Sequence, residues 1–508
     1  MTAGSNASDF SPTRPPNDTD SASFAVRPNL VDYGTAYAEF SWDRARQGLS
    51  GLPDGRGVNI AHEAVDRHAA GGLAGRDALR FVRADGTTHA LSYAELAEQT
   101  GRFASVLQRL GIERTDRVFS LCERIPELFV AAFGTLKNGS VFCPMSPGFD
   151  PEQGRRRLKR GSGRALVTTR ELYRETVAPV RSELPELVQV LLIDADGDPD
   201  PGTVDLGALM RDAPPYGDIV AMQPEDMAML HFTSGTTGPP KGVVHVHDAV
   251  ASLYVAGLYA LDLHPNDVYW STADPGWVSG NSHGVITPLL HGATVLIVEG
   301  EPDAERTYRV LADQRATVWY TTPSMLRMLR AAGPAPAAAH DLSALRHVAS
   351  GGEPLDAEIF AWARETFGRP VHNTWRQTET GGVMLANVPA NPIRPGALGR
   401  PIPGVHAAVL ATDADGRFVP GDDGGVILVT EPDVLGELAF EADWPSMFRG
   451  YLWDDARYRR RFVGGWYLTG DLVRRDAEGY YWFIGRGPDP AEPAPVQDGS
   501  PRAPSADR

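Results

Sequence analysis

Between Phe232 and His245 the chain reads FTSGTTGPPKGVVH. Thr233, Ser234, Gly235, Thr236, Thr237 and Gly238 carry hydroxyls and almost no bulk, and Lys241 follows two prolines. Glycine lets a backbone approach a ligand closely. Successive backbone N–H groups in such a loop make a concave anion site, and hydroxyls and a lysine ammonium add donors and charge. That set of groups suits a polyphosphate. The plainer reading is a solvated Ser/Thr/Gly loop, which needs no apolar run before it. Yet Met227 to Phe232 (MAMLHF) is apolar enough for a buried strand. The Walker A pattern, GxxxxGK followed by Ser or Thr, is absent.

Four later stretches carry further chemistry. Gly351, Gly352, Glu353 and Pro354 follow the strand-like Leu345 to Ala349, and glycines there let a flat ring lie against backbone. Thr374 to Thr380 reads TWRQTET, in which Trp375 offers a ring face for a base. Tyr467 to Asp471 (YLTGD) ends a tight turn on a carboxylate able to accept from a sugar diol. Phe483 to Arg486 (FIGR) ends on a guanidinium, which suits phosphate. Taken singly, each has an ordinary reading as a turn, a core tryptophan or a surface charge.

The elements that must hold these groups alternate between strand and helix. Ser92 and Glu95 form a capping box opening a helix with Leu96, Phe103, Val106, Leu107 and Leu110 at helical spacing. Arg117 to Leu121 is a short strand, and Pro126 opens the next helix. Ser140 to Met145, Ala165 to Thr169 and Leu187 to Ile193 read as buried strands. Asp267 to Ser271, Ala293 to Val298 and Ala316 to Tyr320 are strand-like, and Ser324 to Arg330 is helical. Such alternation predicts an α/β fold with a largely parallel sheet covered on both faces. From about Gly396 short strands and Gly-rich turns predict a smaller β unit.

A chain of 508 residues predicts more than one packed unit. The net charge of −17 argues against nucleic acid and acidic membranes as partners. Two cysteines, Cys122 and Cys143, are too few for a disulfide framework or a zinc site and suit a reducing cytosol. No apolar run approaches the roughly twenty residues that span a bilayer, and the N-terminus lacks the apolar run of a signal peptide. The expected location is cytoplasmic. Residues 1–27, rich in Ser, Thr, Asp, Asn and Pro, read as a disordered leader, and residues 487–508 as a disordered tail. The basic run Arg155 to Arg160 reads as a solvated helix face or as a site for a phosphate tail such as that of coenzyme A.

The five stretches, in this order, resemble those of the adenylate-forming enzymes: acyl-CoA synthetases, adenylation domains and luciferases. Residues 28 to 65 are similar to the N-terminal stretch of acetyl-CoA synthetases, which points to that branch. The resemblance covers about residues 28–486, read as an AMP-binding (adenylation) domain. It implies two β/α sheet subdomains plus a small distorted β-barrel. It implies ATP and Mg²⁺, with Thr233 to Gly238 and Lys241 on phosphates and Gly351, Gly352, Glu353 and Pro354 on adenine. Thr378 would bond the α-phosphate, Glu379 would hold Mg²⁺, Asp471 would take the ribose hydroxyls and Arg486 the ribose or a phosphate. Asn373, Thr374, Trp375 and Gln377 complete the ATP/AMP-binding set, and Lys241, Thr378 and Glu379 are the catalytic candidates. The small-anion pocket is assigned to Trp277, Val278, Ser279, Asn281, His283, Gly351 and Arg376. The implied reaction is attack of a small oxyanion on the α-phosphorus of ATP, with loss of pyrophosphate.

Two departures from the family pattern set expectations. Pro488 stands where the family has a hinge aspartate, and a C-terminal α+β domain of roughly one hundred residues cannot be built from the residues after Arg486. That domain, its adenylation lysine and the coenzyme A tunnel it completes are therefore expected to be absent. Arg376 stands where acetyl-CoA synthetases have the tryptophan that closes the acyl pocket, and a pocket valine falls at Gly351. One wall is expected to have lost bulk, and the Arg376 charge to have an anionic partner, protein or substrate.

The function expected is adenylation of a small anion, a carboxylate or nitrite, passed to an amine acceptor rather than to coenzyme A. A diazotase, N-nitrosating or amide-forming enzyme of specialised metabolism would do this. The alternatives are an acyl-CoA synthetase completed by a separate C-terminal domain or carrier partner, and a catalytically impaired nucleotide-binding paralogue.

Overall fold

The computed structural model describes residues 26–215, 218–233, 240–301 and 303–491. Nearly all of the expected leader, and the tail beyond residue 491, lie outside these residues.

Three sheets organise the chain. The first has eight strands, in the order Gly450–Tyr451, Lys241–Val246, Met227–Thr233, Val141–Met145, Arg117–Leu121, Gly163–Thr168, Gln189–Leu192 and Val204–Asp205. Its centre is parallel, with Arg117–Leu121 flanked by Val141–Met145 and Gly163–Thr168. The second has nine strands and is parallel through Asp77–Val82, Thr294–Val298, Val268–Ser271, Val318–Thr321, His347–Gly351 and Val371–Trp375. Those strands are almost continuously buried, as strands covered on both faces must be. A five-stranded antiparallel sheet built from Ala407–Leu410, Leu435–Glu441, Phe462–Val463, Trp466–Arg475 and Tyr481–Arg486 is the smaller β unit.

The two large sheets share one core with the helices Tyr93–Arg109 and Pro126–Lys137. Phe103, Leu107, Phe129 and Phe133 meet Val118 and Phe142 of one sheet and Leu79, Tyr269 and Val295 of the other. Burying each such side chain is worth about 1.5–3 kcal/mol, so this shared core fixes the sheets relative to one another. The capping box is formed: the Ser92 hydroxyl accepts from Glu95 N, and Glu95 Oε2 accepts from Ser92 N at 2.8 Å. The basic run forms the last turns of the helix Pro151–Arg160. Arg155 and Arg156 pair with Glu152 there, and the Arg157 guanidinium lies 3.7 Å over the Phe149 ring.

The stretch expected to begin a disordered tail is instead seated on the β unit through residue 491. Gly487 N donates to Gly470 O, Arg460 Nε donates to the Ala491 carbonyl, and Ala491 is fully buried. Local composition could not reveal this, because the partners lie upstream, Gly470 seventeen residues before Gly487 and Arg460 thirty-one before Ala491.

Candidate active site

The carboxyl ends of parallel strands are where open α/β sheets bind ligands. Here register brings three of those ends together: Tyr320 pairs with Ala349, and Gly351 with Thr374. Gly351 ends its strand, and Gly352, Glu353 and Pro354 form an exposed turn after it. Gly352 has φ of +93°, which favours glycine. The Glu353 carboxylate accepts from Ser324 Oγ and pairs with Arg327 at 3.2 Å, which anchors the turn.

The segment after Val371–Trp375 is tied to Asp471, which lies not after a tight turn, as expected, but inside the strand Trp466–Arg475, paired with Arg486. Trp375 Nε1 donates to Asp471 Oδ2 at 2.9 Å. Gln377 Nε2 donates to the Thr469 carbonyl at 3.0 Å, and Gln377 Oε1 accepts from Tyr467 OH at 2.8 Å. Arg486, largely exposed, ion-pairs with Asp471 Oδ1 at 3.1 Å. Burial raises the Asp471 carboxyl above its ordinary value, against the opposing pull of Arg486 and the indole N–H. The stacking face expected of Trp375 is not open. The ring is only 7% exposed and packs on Phe440 at 5.2 Å, so its contribution runs through its N–H to Asp471. Asn373 is likewise spent on the scaffold, its Nδ2 donating to Ala397 O at 3.0 Å.

The strands on either side of the hydroxyl-rich stretch pair antiparallel. Thr233 and Lys241 face each other across the antiparallel pair Met227–Thr233 and Lys241–Val246, so the ends of the loop are fixed. Ser234, Gly235, Thr236, Thr237 and Gly238 lie outside the described residues. Lys241 Nζ is 3.0 Å from Asp489 Oδ2. Glu379 is buried, and its Oε1 accepts from Tyr451 OH at 2.7 Å. Thr378, half-buried beside it, receives Gly381 N on its carbonyl.

Arg376 lies at the other side of this segment. Its Nε donates to Tyr320 OH at 3.3 Å, and Tyr320 OH also contacts Thr374 Oγ1 at 3.2 Å. Among the described residues no carboxylate pairs with it. The His283 ring stands edge-on to Tyr320, with centroids 6.4 Å apart, and neither ring nitrogen has a hydrogen-bond partner among the described residues. Burial, then the Arg376 charge, push His283 down to about 3, so the imidazole is neutral at working pH. The loss of bulk expected at Gly351 is not realised. A Cβ there would meet Thr374 Oγ1 at 2.4 Å and Tyr320 OH at 2.7 Å, so those two groups already fill the space. Asn281 does not join Arg376. With Val285 and Ile286 it lines a small cavity against Leu128, Phe129 and Phe133 of a neighbouring helix. Val278 is buried and Ser279 half-buried at the start of the widened helical turn Ser279–Ile286. Trp277 stands edge-on to Phe149 at 5.7 Å.

Residues 66–452 match the family described as AMP-binding enzyme. The chain belongs to that family. This AMP-binding enzyme is 37% identical over 460 residues to acetyl-coenzyme A synthetase of Bacillus subtilis, covering 90% of this chain and 77% of that protein. It is 33% identical over 454 residues to acetyl-coenzyme A synthetase of Streptomyces coelicolor, covering 84% and 68%. Among solved structures, the acyl-CoA synthetase of Brucella canis matches with a TM-score of 0.80 at 32% identity, over 90% of this chain and 80% of that one. The fold is that of the N-terminal domain of adenylate-forming enzymes, and the AMP-binding enzyme is an ATP-dependent, AMP-forming acid ligase. Among the described residues no helix is long and apolar enough to cross a membrane.

Four residues at or next to these side chains escaped sequence reading: Tyr320, Tyr451, Asp489 and Arg461, whose Nε donates to Tyr451 OH at 3.3 Å. Tyr320 closes a strand and was legible only as core. Tyr451 and Arg461 are the first and last residues of the run YLWDDARYRRR, where no spacing marks either one.

Proposed function

We propose that this AMP-binding enzyme activates a small anion, a carboxylate or nitrite, as its adenylate and passes the activated group to an amine. One observation carries the reading. The Arg376 guanidinium has no carboxylate partner among the described residues and stands with a phenol and a neutral imidazole. Arg376 is half-buried, a partly desolvated guanidinium without a carboxylate calls for an anion, and a neutral imidazole accepts a hydrogen bond from an attacking N–H.

In this reading an oxygen of the anion attacks the α-phosphorus of ATP, the bond to the bridging oxygen breaks, and pyrophosphate leaves. The amine nitrogen then attacks the activated centre, AMP departs with the oxygen, and the nitrogen gives up a proton. Thr233 to Gly238 and Lys241 hold the outer phosphates, and Thr378 bonds the α-phosphate. Gly351, Gly352, Glu353 and Pro354 border the adenine, while Asp471 takes the ribose with Arg486 beside it. Glu379 fits Mg²⁺. Its Oε1 is oriented by Tyr451, its Oε2 has no hydrogen bond among the described residues, and Mg²⁺ takes few carboxylates when phosphates and water complete its shell. Bound there, the ion would neutralise phosphate charge. The net charge of −17 leaves nucleic acid and acidic membranes out of the proposed partners.

A second reading, formation of a coenzyme A thioester, is favoured by the names of the relatives. One assay separates the two. The chain is incubated with ATP, Mg²⁺ and acetate, malonate, succinate or nitrite in turn, and AMP is measured with and without amines or coenzyme A. AMP release that depends on the amine and ignores coenzyme A is expected. A coenzyme A thioester made by this chain alone would sink the amine reading.

A further inference from the structure

The carboxylate of Asp489 sits among three cations. Its Oδ2 lies 3.0 Å from Lys241 Nζ and 3.7 Å from Arg457 Nη2, and its Oδ1 lies 2.8 Å from Arg461 Nη2. Arg461 is only 7% exposed. Its Nε donates to Tyr451 OH and its Nη1 to the Leu468 carbonyl, both at 3.3 Å. Tyr451 in turn donates to Glu379. One carboxylate therefore bridges the lysine that closes the hydroxyl-rich loop and an arginine beside the strand Phe462–Val463, next to the carboxylate proposed for Mg²⁺.

Lys241 comes from one part of the folded domain and Arg457 and Arg461 from another, and the anion between them comes from the segment 487–491. A buried guanidinium without an anion is costly, and Asp489 is the carboxylate that pairs with Arg461 among the described residues. Burial pushes the Asp489 carboxyl up, but Arg461, the Ala491 N–H and Lys241 outweigh it and hold the group below its ordinary value, so it stays anionic. An arginine fork and a lysine point charge on two oxygens of one group are what a phosphate also takes.

We infer that Lys241 and Arg461 form one phosphate seat for the outer phosphates of ATP or for pyrophosphate, and that the Asp489 carboxylate stands in that seat and must leave it when phosphate binds. The inference rests on the proposed role of Lys241. It adds Arg461 as a binding residue and makes the segment 487–491 a competitor for the site.

Calorimetric titration of the full chain with inorganic pyrophosphate and Mg²⁺ tests it. Asp489→Asn removes the competitor and is expected to lower Kd roughly three- to tenfold. Arg461→Met is expected to raise Kd by about tenfold or more. Arg461→Lys, which keeps the charge but loses the fork, should fall between and covers the case in which the methionine variant does not fold. Adding Asp489→Asn to Arg461→Lys should tighten binding less than it does alone. Unchanged or weaker binding by Asp489→Asn overturns the inference, as does wild-type affinity in a folded Arg461 variant. Lys241→Met separates the two levels. If it weakens binding while the Arg461 variants do not, the shared seat is wrong and the role of Lys241 stands. If it leaves Kd unchanged, that role fails as well.

Discussion

Trp375 and Asp471, ninety-six residues apart, are joined by one hydrogen bond of 2.9 Å from the indole to the carboxylate. It links the end of the nine-stranded sheet to the strand Trp466–Arg475 of the five-stranded sheet and aims the carboxylate proposed for the ribose. Asp471→Asn removes the charge that a sugar diol would be bonded by. Kd for ATP is expected to rise by about tenfold or more, since hydrogen bonds to charged groups are worth roughly 1.5–3 kcal/mol. Because burial disfavours the Asp471 charge, thermal stability should hold or increase. A drop in stability with unchanged ATP affinity would make Asp471 a structural residue.

Arg376 gives a prediction that separates binding from scaffolding. Removing one partner of a buried ion pair costs about 3–5 kcal/mol because it strands the other charge. No carboxylate among the described residues would be stranded here. Arg376→Met should therefore change unfolding free energy by less than about 1 kcal/mol while lowering kcat/KM at least about tenfold. Arg376→Trp should lower turnover of the native pair of substrates as well. Urea unfolding beside steady-state kinetics decides it, and a large stability loss with intact kinetics would remove Arg376 from the pocket.

Gly351 is held small by its neighbours. Gly351→Val would press its side chain on Thr374 Oγ1 and Tyr320 OH, and overpacking of this kind costs about 1–3 kcal/mol. The same clash would displace the hydroxyl that receives Arg376. Denaturant unfolding should show the loss, and the Tyr320→Phe, Gly351→Val pair should recover part of it. A valine variant as stable as the parent would mean that this wall yields freely.

Glu437 lies on the strand beside Asp471, its Oε1 accepting from Gly470 N at 2.8 Å. Burial lifts its carboxyl to about 7 from an ordinary 4.5, against the Gly470 N–H and Arg461. Between those pH values the folded chain holds a proton that the unfolded chain has released, so stability falls as pH rises through that window. The whole span is worth on the order of 3 kcal/mol. Glu437→Gln, which keeps the acceptor, should flatten the slope and be the more stable form at pH 8. Parallel stability profiles for the two proteins from pH 4.5 to 8 would rule this out.

Much was legible in the linear chain. The strand–helix alternation, the capping box at Ser92 and the order of the five chemical stretches all rest on local periodicity and local backbone chemistry. The alternation was enough to reach the α/β fold class, and the resemblance of the five ordered stretches to adenylate-forming enzymes reached the family and the use of ATP. What escaped were contacts between residues far apart in sequence, because sheet register and core packing decide them. Register set Tyr320 and Thr374 against Gly351 and so filled a space that composition had left open. Packing on Phe440 closed the ring face of Trp375 and left only its N–H to the site. Tertiary structure also brought Asp489 to Lys241 across 248 positions. Residue types alone pointed to a polyphosphate and an anion as the ligands to propose. Only the folded arrangement decided which charges are already paired and which are left for a ligand, because pairing depends on distances of a few ångströms between separate elements.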